Sequence, residues 1–164
     1  MKKFICLLLS VIFSLQICFA EQMTLSAGIS VEDVPEALFG VWRVIAKLDN
    51  TNSYQTFKPQ SLDMWNLSRI GDKISLNNPF TGASAEISVK TVEGNLIVFS
   101  KKAPYDNKIL TDTIAIRIND NSFSGINTLT LESFSNVDNH LLKTEQARYI
   151  IKGEKISGDS VLTK

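Results

Sequence analysis

The chain is poor in the residues that covalent catalysis most often uses. It has one histidine, His140, and two cysteines, Cys6 and Cys18. Both cysteines lie in residues 1–20, a segment expected to be removed from the mature protein. A mature chain without cysteine can hold no disulfide scaffold, thiol nucleophile or zinc–thiolate site. Proline (4) and glycine (8) are also scarce, and no low-complexity tract is present, which points away from a disordered chain. Charge of one sign is missing too, with 17 basic and 17 acidic residues. Loss of Lys2 and Lys3 with the leader tips the balance slightly acidic. Without a basic block to neutralise phosphates, nucleic acid is excluded as a partner.

Residues 1–20 have the order of a secretory signal peptide. Lys2 and Lys3 form a positive start, Phe4 to Phe13 is nearly unbroken apolar sequence, and small Ala20 precedes polar Glu21-Gln22. Ser10, Ser14 and Gln16 interrupt the apolar run, which is short for a membrane span. Cleavage after Ala20 predicts export to the periplasm or beyond, with no transmembrane segment in the mature chain. A lipid anchor at Cys18 is not expected, because bulky Ile17 stands where the bacterial lipobox wants a small residue. The remainder divides into a flexible lead-in at 21–29, one domain at 30–158 and a tail at 159–164. A chain of 164 residues is long enough for one real core and too short for two.

The domain opens with Ser30 to Phe39, read as a short helix or 3₁₀ turn. Ser30 or Asp33 would cap it, Val34, Leu38 and Phe39 would give it an apolar side, and Gly40 would end it. So short a turn needs something to pack on, and one end of a barrel would supply it. From Gly40 the period becomes two. Trp42, Val44, Ala46 and Leu48 point one way, with Arg43 and Lys47 opposite. Residues 49–60 form the longest polar connection of the first half.

Alternating segments follow at 64–70, 73–76, 83–92, 96–100, 109–118, 123–134 and 145–152. Turn residues separate them, and 103–108 and 136–143 read as longer loops. Gly125 marks a bend or bulge. Gly71-Asp72-Lys73-Ile74-Ser75 returns as Gly153-Glu154-Lys155-Ile156-Ser157, which predicts two similar hairpins. The sum is an all-β fold, a single antiparallel up-and-down barrel of eight or nine strands.

Gly40-Val41-Trp42, following a short helical turn, resembles the start of a lipocalin or related calycin barrel. In that family an arginine of the last strand packs over the tryptophan, and Arg148 is the matching position here. Thr111-Asp112-Thr113 matches the family's middle motif in part. The hairpin from Trp65-Asn66-Leu67 through Gly71-Asp72 to Ser75 is similar to those of small calycin-like secreted domains. The resemblance implies an eight-stranded barrel closed around Gly40, Trp42 and Arg148, with a small apolar or amphipathic molecule bound inside. A barrel of that size either holds one small ligand or fills itself with side chains.

Specific chemistry is thinly represented. His140 sits in a loop beside Asp138 and reads as a surface residue, and neither a serine elbow nor a phosphate loop occurs. Asn119-Asp120-Asn121 reads as a turn, since it lacks the later ligands of a calcium loop. Asp112, Glu132 and Glu145 would matter if they converged inside the barrel, as ligand contacts or a glycosidic acid–base pair. We expect them instead to face solvent, opposite basic residues such as Arg117. No catalytic residue, metal site or cofactor is therefore expected.

Tyr54, Phe57, Phe80 and Tyr105, near a mouth, are the expected ligand contacts, because loops on a rigid scaffold carry function. Small inward residues Ala46, Ala85 and Ala115 would surround the void. The expected role is that of a non-enzymatic carrier for a small hydrophobic molecule or lipid. The other reading is a secreted or envelope interaction protein with a filled barrel and no small ligand.

Overall fold

The computed structural model describes residues 29–157. The expected signal peptide at 1–20 with its expected cleavage site, Cys6, Cys18, nearly all of the expected lead-in at 21–29 and the expected tail at 159–164 lie outside the described residues. Eight strands run β1 (Gly40–Thr51), β2 (Gln60–Ile70), β3 (Lys73–Asn77), β4 (Ser84–Glu93), β5 (Leu96–Tyr105), β6 (Lys108–Asn119), β7 (Ser122–Phe134) and β8 (Leu141–Ser157). Each pairs antiparallel with its neighbour in sequence, and β8 returns to pair with β1, so the sheet closes into a barrel.

Alternation decides which side chains face inward. Trp42 and Val44 of β1, Leu67 of β2, Ile97 and Phe99 of β5, Ile114 and Ile116 of β6, and Ala147 and Ile151 of β8 are buried. In β4 a bulge between Val89 and Thr91 resets the parity, so that Val89 and Val92 both pack on the core. Ala115 lies between the fully buried Ile114 and Ile116. It therefore faces outward, beside Val98 and Ile126, and does not line the interior as expected.

One end is shut. Two single 3₁₀ turns, Val31–Asp33 and Glu36–Leu38, lie across it, the first held by a Ser30–Asp33 capping box. Pro35 separates them, and Val34, Leu38 and Phe39 are buried. Trp42 Nε1 donates to Leu38 O at 2.8 Å, which satisfies an indole N–H that burial would otherwise strand. The cation over the Trp42 ring is Lys155, 5.3 Å from its centroid, and Lys155 Nζ also donates to Ala37 O at 3.1 Å. Arg148 does not fill this role. It points outward and pairs with Asp49 at 2.9 Å, because β8 runs seven residues past it before it meets Trp42 at Lys155.

The expected turn at Gly153-Glu154 is absent. β8 continues through it, still paired with β1 and β7. Gly71 does make its turn, at φ +60°, so the repeated sequence serves two different structures. The expected loop at 103–108 is likewise mostly strand, shortened to a turn at Asp106-Asn107. Gly125 shows no bulge; it sits where a Cβ would come within 2.0 Å of Ala115 O. Strands β6 and β7 approach too closely there for any side chain.

Candidate functional site

The barrel changes character halfway along its axis. Towards the closed end, Trp42 and Phe123 (centroids 5.0 Å), Phe123 and Trp65 (5.8 Å, stacked) and Trp65 and Phe99 (6.4 Å, edge-on) fill the interior. Beyond Trp65, the same inward rows turn polar. Asp63 of β2, Lys101 of β5, Asp112 of β6, Asn127 of β7 and Glu145 of β8 occupy inward positions, each two residues or a multiple of two from a buried apolar neighbour.

These groups satisfy one another. Asn127 Nδ2 donates to Asp112 Oδ1, and Lys101 Nζ lies 3.4 Å from Asp112 Oδ2. Burial pushes the Asp112 carboxyl above the usual carboxylate range, with Lys101 and Asn127 pulling it back. Asp63 Oδ1 accepts from its neighbour's backbone, Met64 N at 2.9 Å, and from Asn78 Nδ2. Its Oδ2 accepts from Trp65 Nε1 at 3.2 Å. No buried side-chain nitrogen or oxygen among the described residues is left without a partner, as a buried polar cluster requires.

Two cavities flank the Asp112–Asn127 pair. The larger, about 420 Å³, is walled by Leu76, Ala85, Ala103 and Leu110, with Asp63, Asn78, Lys101 and Asp112 as its main polar groups. It exists because the barrel wall is notched. β3 has only five residues, and β4 pairs with β5 no further than Ser88 with Ser100. The outer halves of β2 and β5 therefore continue with no strand between them, and the 78–83 turn spans the gap. The smaller cavity, about 290 Å³, lies under the 52–59 loop between Ala46, Phe57, Asn127, Leu129 and Tyr149.

That loop is latched to β8. Glu145, buried, accepts from Ser53 Oγ at 2.5 Å, Thr56 Oγ1 at 2.7 Å and Lys143 Nζ at 2.9 Å. These bonds, with Ser53's the strongest influence, hold its carboxyl down to about 2. Tyr149 Oη donates to Lys58 O at 3.0 Å, and Asn52 Nδ2 donates to Thr144 O at 3.3 Å.

The expected contact residues separate into two kinds. Phe57 is buried under the loop as part of the core and lines the smaller cavity. Tyr105 lines the larger cavity at its rim while remaining half exposed. Tyr54 and Phe80 are 77% and 80% exposed, on loop tips that line neither cavity. With Val137, Leu141 and Leu142 they leave large apolar side chains around the open end, whereas the opposite turns, Gly71-Asp72, Gly94-Asn95 and Asp120-Asn121, are polar. His140 is remote from this interior, bonded at 2.5 Å to Asp138.

The carboxylate expectation needs correction. Asp112 and Glu145 are buried inside the barrel, Asp112 held by Lys101 of β5 and Asn127 of β7, Glu145 by Ser53 and Thr56 of the 52–59 loop and by Lys143 of its own strand. Glu132 alone of the three keeps the outward parity of β7. Asp63, Lys101 and Asn127, which sequence reasoning missed, complete the polar interior. Each shares parity with apolar residues that the structure buries: Asp63 with Trp65 and Leu67, Lys101 with Phe99, and Asn127 with Phe123.

Comparisons with protein-family models, curated proteins and solved structures found no match, so the resemblance to calycin barrels stands on architecture alone, as an eight-stranded closed antiparallel barrel.

Proposed function

We propose that this chain is an exported, non-catalytic binding protein that holds one small amphipathic molecule in the open half of its barrel. One observation carries the reading: aromatic side chains fill the closed half, while the open half keeps cavities of about 420 and 290 Å³. The larger falls within the range of about 300–1,000 Å³ typical of small-molecule sites. Apolar walls with a few convergent polar groups suit a ligand with one polar end. Asp112 and Asp63 are fixed as acceptors by Asn127, Lys101, Asn78 and Trp65, which suits a receptor for a headgroup. Export rests on the order of residues 1–20.

Native mass spectrometry with solvent extraction, on protein purified from its expressing host, tests this. A stoichiometric small-molecule adduct is the expected result. A clean apo mass, together with no uptake from a panel of lipids and apolar dyes, would overturn it. It would favour the second reading, in which the apolar rim around Tyr54, Phe80 and Leu142 meets a protein partner.

A further inference from the structure

We infer that the larger cavity selects a ligand with a protonated amine, seated against Asp63, and an apolar body lying on Leu76, Leu110, Ala85 and Ala103. The inference rests on the binding reading above and adds the ligand's chemical class. Three charged side chains line this cavity, Asp63, Asp112 and Lys101. Lys101 pairs with Asp112, but no cation pairs with Asp63 among the described residues. The cavity thus carries one carboxylate that is hydrogen-bonded by neutral donors alone.

Geometry gives Asp63 room for one more partner. Its Oδ2 takes a single side-chain donor, Trp65 Nε1, and a carboxylate oxygen accepts two. An ammonium brings three donors and the missing positive charge together. An anionic headgroup would instead enter beside two carboxylates, with the one lysine already engaged. A neutral hydroxyl could donate to Oδ2 but would leave the charge unbalanced. The apolar walls begin directly beyond these polar groups, so head and tail fit one cavity. Trp65 makes the site self-reporting, because its indole bonds to the carboxylate that the amine would meet.

The test is a titration of the purified protein with octylamine, octanol and octanoate, one tail with three headgroups, followed by Trp fluorescence and calorimetry. Octylamine should bind roughly ten- to hundredfold more tightly than the other two, the range of a charge-assisted hydrogen bond. Asp63→Asn should abolish that preference while octanol affinity stays within about threefold, well below that range. In the unsubstituted protein, added salt should weaken octylamine and leave octanol unmoved, a readout that survives if the variant does not fold. Equal or tighter binding of octanol or octanoate overturns the amine assignment and leaves the cavity reading standing. So does an octylamine preference that Asp63→Asn leaves intact. Failure of all three probes to bind overturns both.

Discussion

The ring of Phe123 occupies the space that a side chain at Gly153 would need: a Cβ there would lie 2.2 Å from Phe123 Cε1. The two residues face each other across β7 and β8, and Trp42 and Trp65 pack against the same ring. A glycine that reads as a turn signal is in fact the floor under the central aromatic ring. Gly153→Ala should therefore destabilise the fold by about 1–3 kcal/mol, the cost of overpacking a tight core. Urea denaturation would measure it, and Phe123→Leu in the same chain should recover part of the loss.

Lys155 and Arg148 should exchange the importance that the calycin resemblance assigns them. Lys155 lies over Trp42 and reaches Ala37 O, so Lys155→Ala is expected to cost about 0.5–1 kcal/mol. Arg148 makes an exposed pair with Asp49, and Arg148→Ala should stay within about 0.5 kcal/mol. Trp42→Ala, which empties the centre of the closed end, should cost about 3–5 kcal/mol. Thermal melts of the three variants would rank them, and a larger loss for Arg148 than for Lys155 would contradict this arrangement.

The period-two pattern made most of the barrel legible, because a buried face must repeat at the spacing of the pleat. The inward row of Trp42, Val44 and Ala46 and the cap of Val34, Leu38 and Phe39 could be assigned without coordinates. The polar half of the interior could not. Asp112 shares parity with Ile114, but a lone carboxylate in an apolar row is costly to bury, so alternation alone gives little reason to place it inside. What makes it tolerable is Lys101 on β5 and Asn127 on β7, and register across three strands is a tertiary fact. Gly153 misled for a related reason. Its missing side chain serves a neighbour on another strand, and nothing local distinguishes that from a turn.

Removing Lys101 should expose how Asp112 is tolerated. Burial already raises the Asp112 carboxyl and Lys101 opposes that rise. In Lys101→Met the native-state value should climb further. A raised native pKa means that the folded chain holds its proton longer than the unfolded chain does. Stability then falls as pH rises from the ordinary value of 3.8 through the raised one. Lys101→Met should thus lose about 1–3 kcal/mol at neutral pH, as expected for a partly buried charge left without its partner. Most of that loss should vanish on acidification or on adding Asp112→Asn. A loss independent of pH would mean that Lys101 acts only through packing.

Glu145 gives the opposite sign at the other cavity. Its native carboxyl is held from 4.5 down to about 2 by Ser53, Lys143 and Thr56, so the unfolded chain takes up its proton first. The latch contributes fully above about pH 4.5 and is lost progressively as pH falls towards 2. Because its bonds tie the 52–59 loop to β8, protonation should free that loop before the barrel opens. Protection of the Thr56 and Phe57 amides, which bond to Ser53 O at 3.2 Å, taken relative to the intrinsic exchange rate at each pH, should fall across this range while the amides of β6 stay protected. Glu145→Gln should show fast exchange in the loop at neutral pH and little further change on acidification. A uniform loss of protection in loop and barrel amides would show that Glu145 supports the whole fold and not the latch alone.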